Sequence, residues 1–526
     1  MLSVCLPALG DDVTADTPGI GPDAKYAEPV VVSIGMPKPN NQMDEGQSVE
    51  SNRLLDYIAD KTNIQVKYSW LADPGNYDQK VNLAIATGDI PDIMIVQNEK
   101  QVQQLVEAGL VEDLTKYYEY GASDHIKGFY KSYGDRAFTT ATFDGELMAM
   151  PDLTNGYQHA FLWVRQDWMD AVGAQPPRTV DDLIALAKTF IEKDPGHNGP
   201  GKTVGFVLDP RIAGNYKEIN EFDPIFAAFN SFPQQWVKEE GATSYSYGSI
   251  TPQTKTALAK VRDMYAAGLI DPGFAVRKQE DANALLLSGK VGIMFGPWYM
   301  PDWPLSTAPQ TTPGARWVPL VAPVDADGIF KVGRQNPHVS WIVVRKGFAH
   351  PEIAIKLQDY YFRASRHLIP EFEKTLPKDY RFQQPLAGMV QYDDALLRDF
   401  AALDNAIKTK DTSKLDPEYK MFYEKTVHYM EDPTYFDGWR FYGTRYLGQG
   451  AAAQTEGVKL IDNIYPATTP TMELKWANLQ TLEQTTFLKI VIGDLPLDDF
   501  DKFVADWKSQ GGDEITDEVN QAQAKG

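Results

Sequence analysis

EPVVVSIGMPKPNNQM (28–43), SNRLLDYIADKTN (51–63) and IQVKYSW (64–70) decide the fold. The first is short, β-branched and apolar at successive positions before it breaks into Pro, Lys and Asn. That is the pattern of a strand buried on both faces, followed by a loop. The second segment has helical spacing with Asn63 near its end, and the third is again strand-like. Strand, helix and strand in this order make a βαβ unit. DQKVNLAIATGDIPDIMIVQ (78–97) repeats the pattern, with a helix over 78–86, a stop at Gly88-Asp89 and a strand over 92–96. The fold class is α/β of the doubly wound kind, with helices flanking each sheet.

A second block begins near DGELMAMP (144–151), and HAFLWVRQDWMDAVG (159–173) supplies a strand running into a helix. PPRTVDDLIALAKTFIEKD (176–194) predicts a helix with Thr179 as N-cap and Asp181 and Asp182 in the first turn. TPQTKTALAKVRDMYAAGLID (251–271) predicts another, closed by Gly268. GKVGIMFGPWYMPDW (289–303) then runs from an apolar strand into a Pro-bearing turn with three aromatic residues. RWVPLVAP (316–323), the strand HVSWIVVRKG (338–347) and a helix over 351–362 follow, and the remainder is mainly helical.

The chain has 526 residues, more than one core accommodates, so two lobes are expected. Apolar residues make up 43% and charged residues 23%, which argues against long disorder. Fifty basic residues against 72 acidic ones give a net charge of -22, which repels nucleic acid and anionic lipid surfaces and favours neutral ligands. No run approaches the ~18 apolar residues of a membrane-spanning helix. Residues 6–29 are rich in Pro, Gly, Asp and Ala, so residues 1–28 are expected to be a signal remnant and flexible tether. Seven scattered histidines without HExxH spacing, and the absence of GxSxG, Walker or GxGxxG loops in a strand-to-helix setting, leave no expected catalytic residue and no cofactor.

In order along the chain, ATGDIPDI (86–93), DGELMAMP, LWVRQDWMDAVGAQPPRTVDDL (162–183), YAAGLIDPGF (265–274) and LSGKVGIMFGPWYM (287–300) resemble the extracellular solute-binding proteins of carbohydrate ABC importers. FLKIVIGDLPLDDFDKFVADWKSQGGDEITDEVN (487–520) resembles the ends of the longer lipoprotein-type oligosaccharide binders of Gram-positive bacteria. The likeness spans about residues 29–520. It implies a two-lobed, type II periplasmic-binding-protein-like fold with ligand in a cleft and lobes closing about a hinge. One lobe would take 29–151 and 283–365, the other 152–282 and 366–526. It implies a monomeric, non-enzymatic receptor that hands an oligosaccharide to the transmembrane subunits of an ABC permease; a glycoside-active enzyme and a binder of a non-sugar solute such as a peptide are the alternative readings.

In open α/β sheets ligands bind beyond the carboxyl ends of the strands. The loops so selected carry Lys38, Asn40 and Asn41, then Trp70, then Gln97 and Asn98, with Asn155 and Tyr157 at the first crossing. Trp298, Tyr299, Asp302 and Trp303 follow GKVGIMF. A sugar has an apolar C–H face and a fringe of hydroxyls, so aromatic platforms beside Asp, Asn, Gln or Arg suit it. Pro297 and Pro301 would stiffen that platform before ligand arrives. The same rings also suit packing within a lobe. Trp236 and Trp439 are candidates for a far wall. Arg334 and Gln335 lie in a polar loop before a crossing strand, where Arg334 suits either the ligand or an inter-lobe ion pair.

Two further features stay open. DPGHNGPGKTVGF (194–206) is similar to the calcium loop DxDxNGxxDTxGF of longer binders, but Gly196 and Lys202 replace two carboxylates. A metal-free turn is expected, with Asp194 and Asn198 as the remaining oxygen donors. Leu2-Ser3-Val4-Cys5 is similar to the end of a bacterial lipoprotein signal. Cys5, the single cysteine, is then either the site of a lipid tether on the outer face of the cytoplasmic membrane or an incidental thiol.

Overall fold

The computed structural model describes residues 13–39, 45–216, 218–238, 241–334, 336–365, 368–373, 391–465 and 467–525. The chain divides into two compact units, one of residues 1–155 and 337–395, the other of 156–336 and 396–526.

The first unit is built on a five-stranded sheet in the order 64–72, 30–37, 93–96, 338–344, 150–153. The first three strands are parallel, and 338–344 runs antiparallel to both of its neighbours. The crossover helix Arg53–Thr62 forms because Asn52 caps it, its side-chain oxygen accepting from the Leu54 and Leu55 amides at 3.1 Å each. It ends at Asn63, a left-handed residue at φ 62° whose amide donates to the Ala59 carbonyl. Leu54 and Ile58 go into the core with Val32, Ile34 and the wholly buried strand Ile93–Val96.

Residues 13–28 correct the tether expected there. Val13, Ile20 and Tyr26 are buried in the core of the first unit. The Tyr26 hydroxyl donates to Glu352 at 2.5 Å, Lys356 Nζ to the Ala24 carbonyl at 2.6 Å, and Arg363 pairs with Asp23 at 2.8 Å. Three widely spaced apolar residues have no periodicity, yet each finds a slot on one prebuilt surface.

The second unit holds a four-stranded sheet in the order 317–320, 161–165, 291–296, 204–206. Strand Val291–Gly296 is buried along its whole length, antiparallel to 161–165 and parallel to 204–206. Residues 283–336 therefore belong to the second unit, not to the first lobe as the sequence suggested. Uniform apolarity marks a strand as central; it does not say in which sheet. Thr179 caps helix Val180–Lys193 as expected, in a reciprocal box with Asp182.

Candidate functional site

The turn after strand 291–296 is fixed before it leaves the sheet. Trp163 Nε1 donates to the carbonyls of Gly296 and Pro297, each at 3.2 Å. Within the turn the Asp302 amide donates to Tyr299 O at 2.8 Å and the Leu305 amide to Met300 O at 2.9 Å. The far side is closed by a helical segment containing a π-helix over Tyr442–Gly448, a geometry often found at functional sites. Gly448 lies directly under Trp298: a Cβ there would sit 2.1 Å from the Trp298 carbonyl oxygen, so only glycine permits this approach. Arg440 Nε pairs with Asp302 at 2.7 Å, and Trp439 Nε1 donates to Leu305 O at 2.8 Å.

The two tryptophans of the turn differ. Trp298 is half-buried, with the Arg445 guanidinium 5.1 Å from its ring, Tyr299 edge-on at 5.8 Å, and its buried Nε1 without a hydrogen-bond partner. Trp303 is 49% exposed. Trp303 is thus the exposed ring of the turn and Trp298 the packed one. Next to the turn, Tyr157 packs half-buried on the same core. Burial first, and then the Glu218 carboxylate, push the Tyr299 hydroxyl up to about 12, so it stays a neutral donor and acceptor at ordinary pH.

Beside the turn lies the loop 209–223, joined to the sheet by the Asn220 amide donating to Phe295 O at 2.9 Å. Nothing in its composition announces a role; its signature is conformational. Ile212, Tyr216 and Asn220 all have left-handed backbones, at φ 68°, 57° and 65°. Nearby, His159 is buried against Phe161 with Nδ1 unpartnered, and burial pushes its imidazole down to about 3. The buried side-chain oxygen of Asn220 is also without a partner.

Other candidates are placed differently. Trp236 and Trp439, expected on a far wall, are core residues at 2% and 3% exposure. Trp236 packs on Tyr247 and Trp476, and aromatic loop residues read as a wall because sequence does not show which ring faces inward. Arg334 pairs with Asp462 at 2.5 and 2.9 Å across strands 330–334 and 458–462, within the second unit and not between lobes. In the first unit Trp70 is half-buried against Tyr77, while Lys38, Gln97 and Asn98 are exposed. Asn98 caps helix Glu99–Glu107. Asn155 is buried. Asn40, Asn41, Gln335 and Cys5 lie outside the described residues.

In the 194–206 loop the Asp194 carboxylate accepts from Thr203 Oγ1 at 2.5 Å and from the Asn198 and Gly199 amides at 3.0 and 2.8 Å. Asn198 Nδ2 donates to Thr203 Oγ1 at 3.0 Å. Asp194 and Asn198 are thus engaged with the loop itself. Among the described residues no group of three or more His, Cys, Asp or Glu side chains converges as a metal site.

Two α/β lobes with a short parallel βαβ start and antiparallel return strands define the bilobal, type II class of binding proteins. The chain belongs to the bacterial extracellular solute-binding protein family, whose model matches residues 46–365. It is similar to lipoprotein LipO of Bacillus subtilis (strain 168), 26% identical over 237 residues, covering 44% of each chain. It is likewise similar to the fructooligosaccharide ABC transporter substrate-binding protein FusA of Streptococcus pneumoniae, 26% identical over 262 residues and 46% of each. The chain spans about half the length of the curated relatives it matches. Among solved structures, an HMO-binding, ABC-transporter-associated solute binding protein from Bifidobacterium longum infantis shares the fold at TM-score 0.64 and 14% identity, covering 94% of this chain and 98% of that one. The alginate-binding protein AlgQ2, solved without calcium ion, does so at TM-score 0.61 and 18% identity, again covering 94% and 98%. The family read from the ordered motifs is the family found.

Proposed function

We propose that the chain is the substrate-capturing component of a carbohydrate ABC importer, which binds an oligosaccharide and delivers it intact to a membrane permease. The observation that carries this reading is the 297–303 turn, an exposed Trp303 ring beside half-buried Tyr299 and Asp302 on a support anchored from two sides. An aromatic face binds the C–H side of a sugar, and the carboxylate and phenol orient its hydroxyls, because a buried hydroxyl left unpaired costs about 1–3 kcal/mol. The names of relatives support a glycan: one is a fructooligosaccharide binder, another a polygalacturonan/rhamnogalacturonan-binding protein. No bond is made or broken in this reading, and the protein works as a monomer. A lipid on Cys5 holding it to the outer face of a Gram-positive membrane belongs to the same proposal, and mass spectrometry of membrane-fraction protein reads it directly.

The test is calorimetric titration of the full chain with a panel of oligosaccharides, followed by chromatography of the recovered glycan. The expected result is saturable binding with intact glycan recovered. Replacing Trp303 by alanine should weaken binding about tenfold with an unchanged melting temperature. Shortened products would place the protein among enzymes, and silence across the panel would point to another solute class.

A further inference from the structure

We propose that Glu218 is the specificity-determining residue of this site, accepting hydroxyls of a neutral glycan and rejecting uronate-bearing ones. The inference rests on the oligosaccharide reading above and adds the charge class of the ligand.

The argument begins with the backbone of the 209–223 loop. Left-handed geometry costs an L-residue about 1–2 kcal/mol, and Ile212, being β-branched, is least suited to it. Such residues persist only where the surroundings fix them. Here two buried carboxylates do so. Asp223 accepts from the Gly214 amide at 2.7 Å and the Tyr216 amide at 2.9 Å. Glu221 accepts from the Asn215 amide at 3.0 Å and its Nδ2 at 2.9 Å, and pairs with Arg211 at 3.1 Å. The Tyr216 ring lies on the backbone at Gly333, where a Cβ would come within 2.1 Å, and its hydroxyl donates to Pro233 O at 2.6 Å. The Ala160 amide donates to Tyr216 O at 3.1 Å, and Asn220 is tied to Phe295. Glu218 therefore stands between the fixed residues Tyr216 and Asn220, beside the end of the strand that launches the Trp298–Trp303 turn.

The charges around it are unequal. Arg211 is paired with Asp209 and Glu221, Arg440 with Asp302, and Arg445 lies against the rings of Trp298 and Phe422. Glu218 is half-exposed, its field reaches both Tyr299 and Arg211, and it has no hydrogen-bond or ion-pair partner among the described residues. A half-exposed carboxylate with no direct partner among the described residues, beside an aromatic platform, is a bidentate acceptor for vicinal hydroxyls, and it repels a ligand carboxylate.

The experiment titrates the full chain with nystose, xylotetraose, cellotetraose and lacto-N-neotetraose, and with trigalacturonate. The wild type should bind its best neutral glycan at least about tenfold more tightly than trigalacturonate. Glu218→Gln should weaken that neutral glycan about tenfold and narrow the gap to trigalacturonate, with no change in melting temperature. Glu218→Asp, which keeps the charge, should retain rejection of trigalacturonate. Binding of a neutral glycan that is indifferent to Glu218→Gln, or a wild-type preference for trigalacturonate, overturns the inference and leaves the receptor reading standing. Wild-type binding of no glycan overturns both.

Discussion

Two loops of the second unit use the same device, a carboxylate that gathers backbone amides, and differ in where they put it. In 194–206 the carboxylate of Asp194 lies near the surface and closes a loop through Asn198, Gly199 and Thr203. In 209–223 the carboxylates of Glu221 and Asp223 are buried, and of the amides they collect, those of Gly214 and Tyr216 belong to left-handed residues. A surface carboxylate is exchangeable with water, so the first loop is held weakly. A buried one has no substitute, so the second loop is held more firmly at Gly214, Asn215 and Tyr216.

The largest expected effect of breaking this contrast is on stability. Asp223→Ala leaves the Gly214 and Tyr216 amides unsatisfied in the interior and should destabilise the protein by about 3 kcal/mol in denaturant titrations. Asp194→Ala, whose amides turn to water, should cost about 1 kcal/mol or less. Equal losses would remove the distinction. Next comes the support of the turn: Gly448→Ala drives a methyl group into the Trp298 carbonyl and should cost about 2 kcal/mol, while weakening glycan binding by displacing the platform.

The smallest effect, and the sharpest in sign, is in pH. Burial, followed by the Glu221 charge, raises the Asp223 carboxyl well above its ordinary value. Between the unfolded value and that raised one the native state holds a proton that the unfolded chain has released. Stability from this group is therefore present below the unfolded pKa and falls as pH rises through the window. Asp194 is the reverse. The hydrogen bond from Thr203 lowers its pKa most, against a smaller burial penalty, with the Gly199 and Asn198 amides adding to the lowering. Its contribution is present above about pH 4 and is lost as pH falls through the lowered folded value. Denaturation of Asp223→Asn and Asp194→Asn beside the wild type from pH 3 to 8 should show differences that change with pH in opposite directions. Parallel curves would contradict the assignment.

Much of the scaffold is legible in the sequence because its signals are local. Asn63 and Gly268 end helices, Thr179 and Asp182 form a cap, and β-branched runs make strands. The turn with Trp298 and Trp303 is legible for the same reason, as aromatic residues between prolines after an apolar strand. What is hidden depends on distant partners. The sheet that receives strand 291–296 is decided by Phe161–Arg165, more than a hundred residues earlier. The docking of residues 13–28 is decided by Glu352, Lys356 and Arg363 on a helix of the returning chain. The geometry around Glu218 is hidden more deeply, since Ile212 and Tyr216, unlike Asn220, carry no residue preference that announces a left-handed backbone. A Glu-x-Asp pair such as Glu221 and Asp223 reads from sequence as a solvated surface.

The most direct test of the account is hydrogen–deuterium exchange of the full chain with and without its best-binding neutral glycan. The account predicts ligand-dependent protection in peptides covering 297–303 and 215–220, with the 194–203 loop unchanged. Protection that spares both of those segments while glycan is demonstrably bound would contradict it.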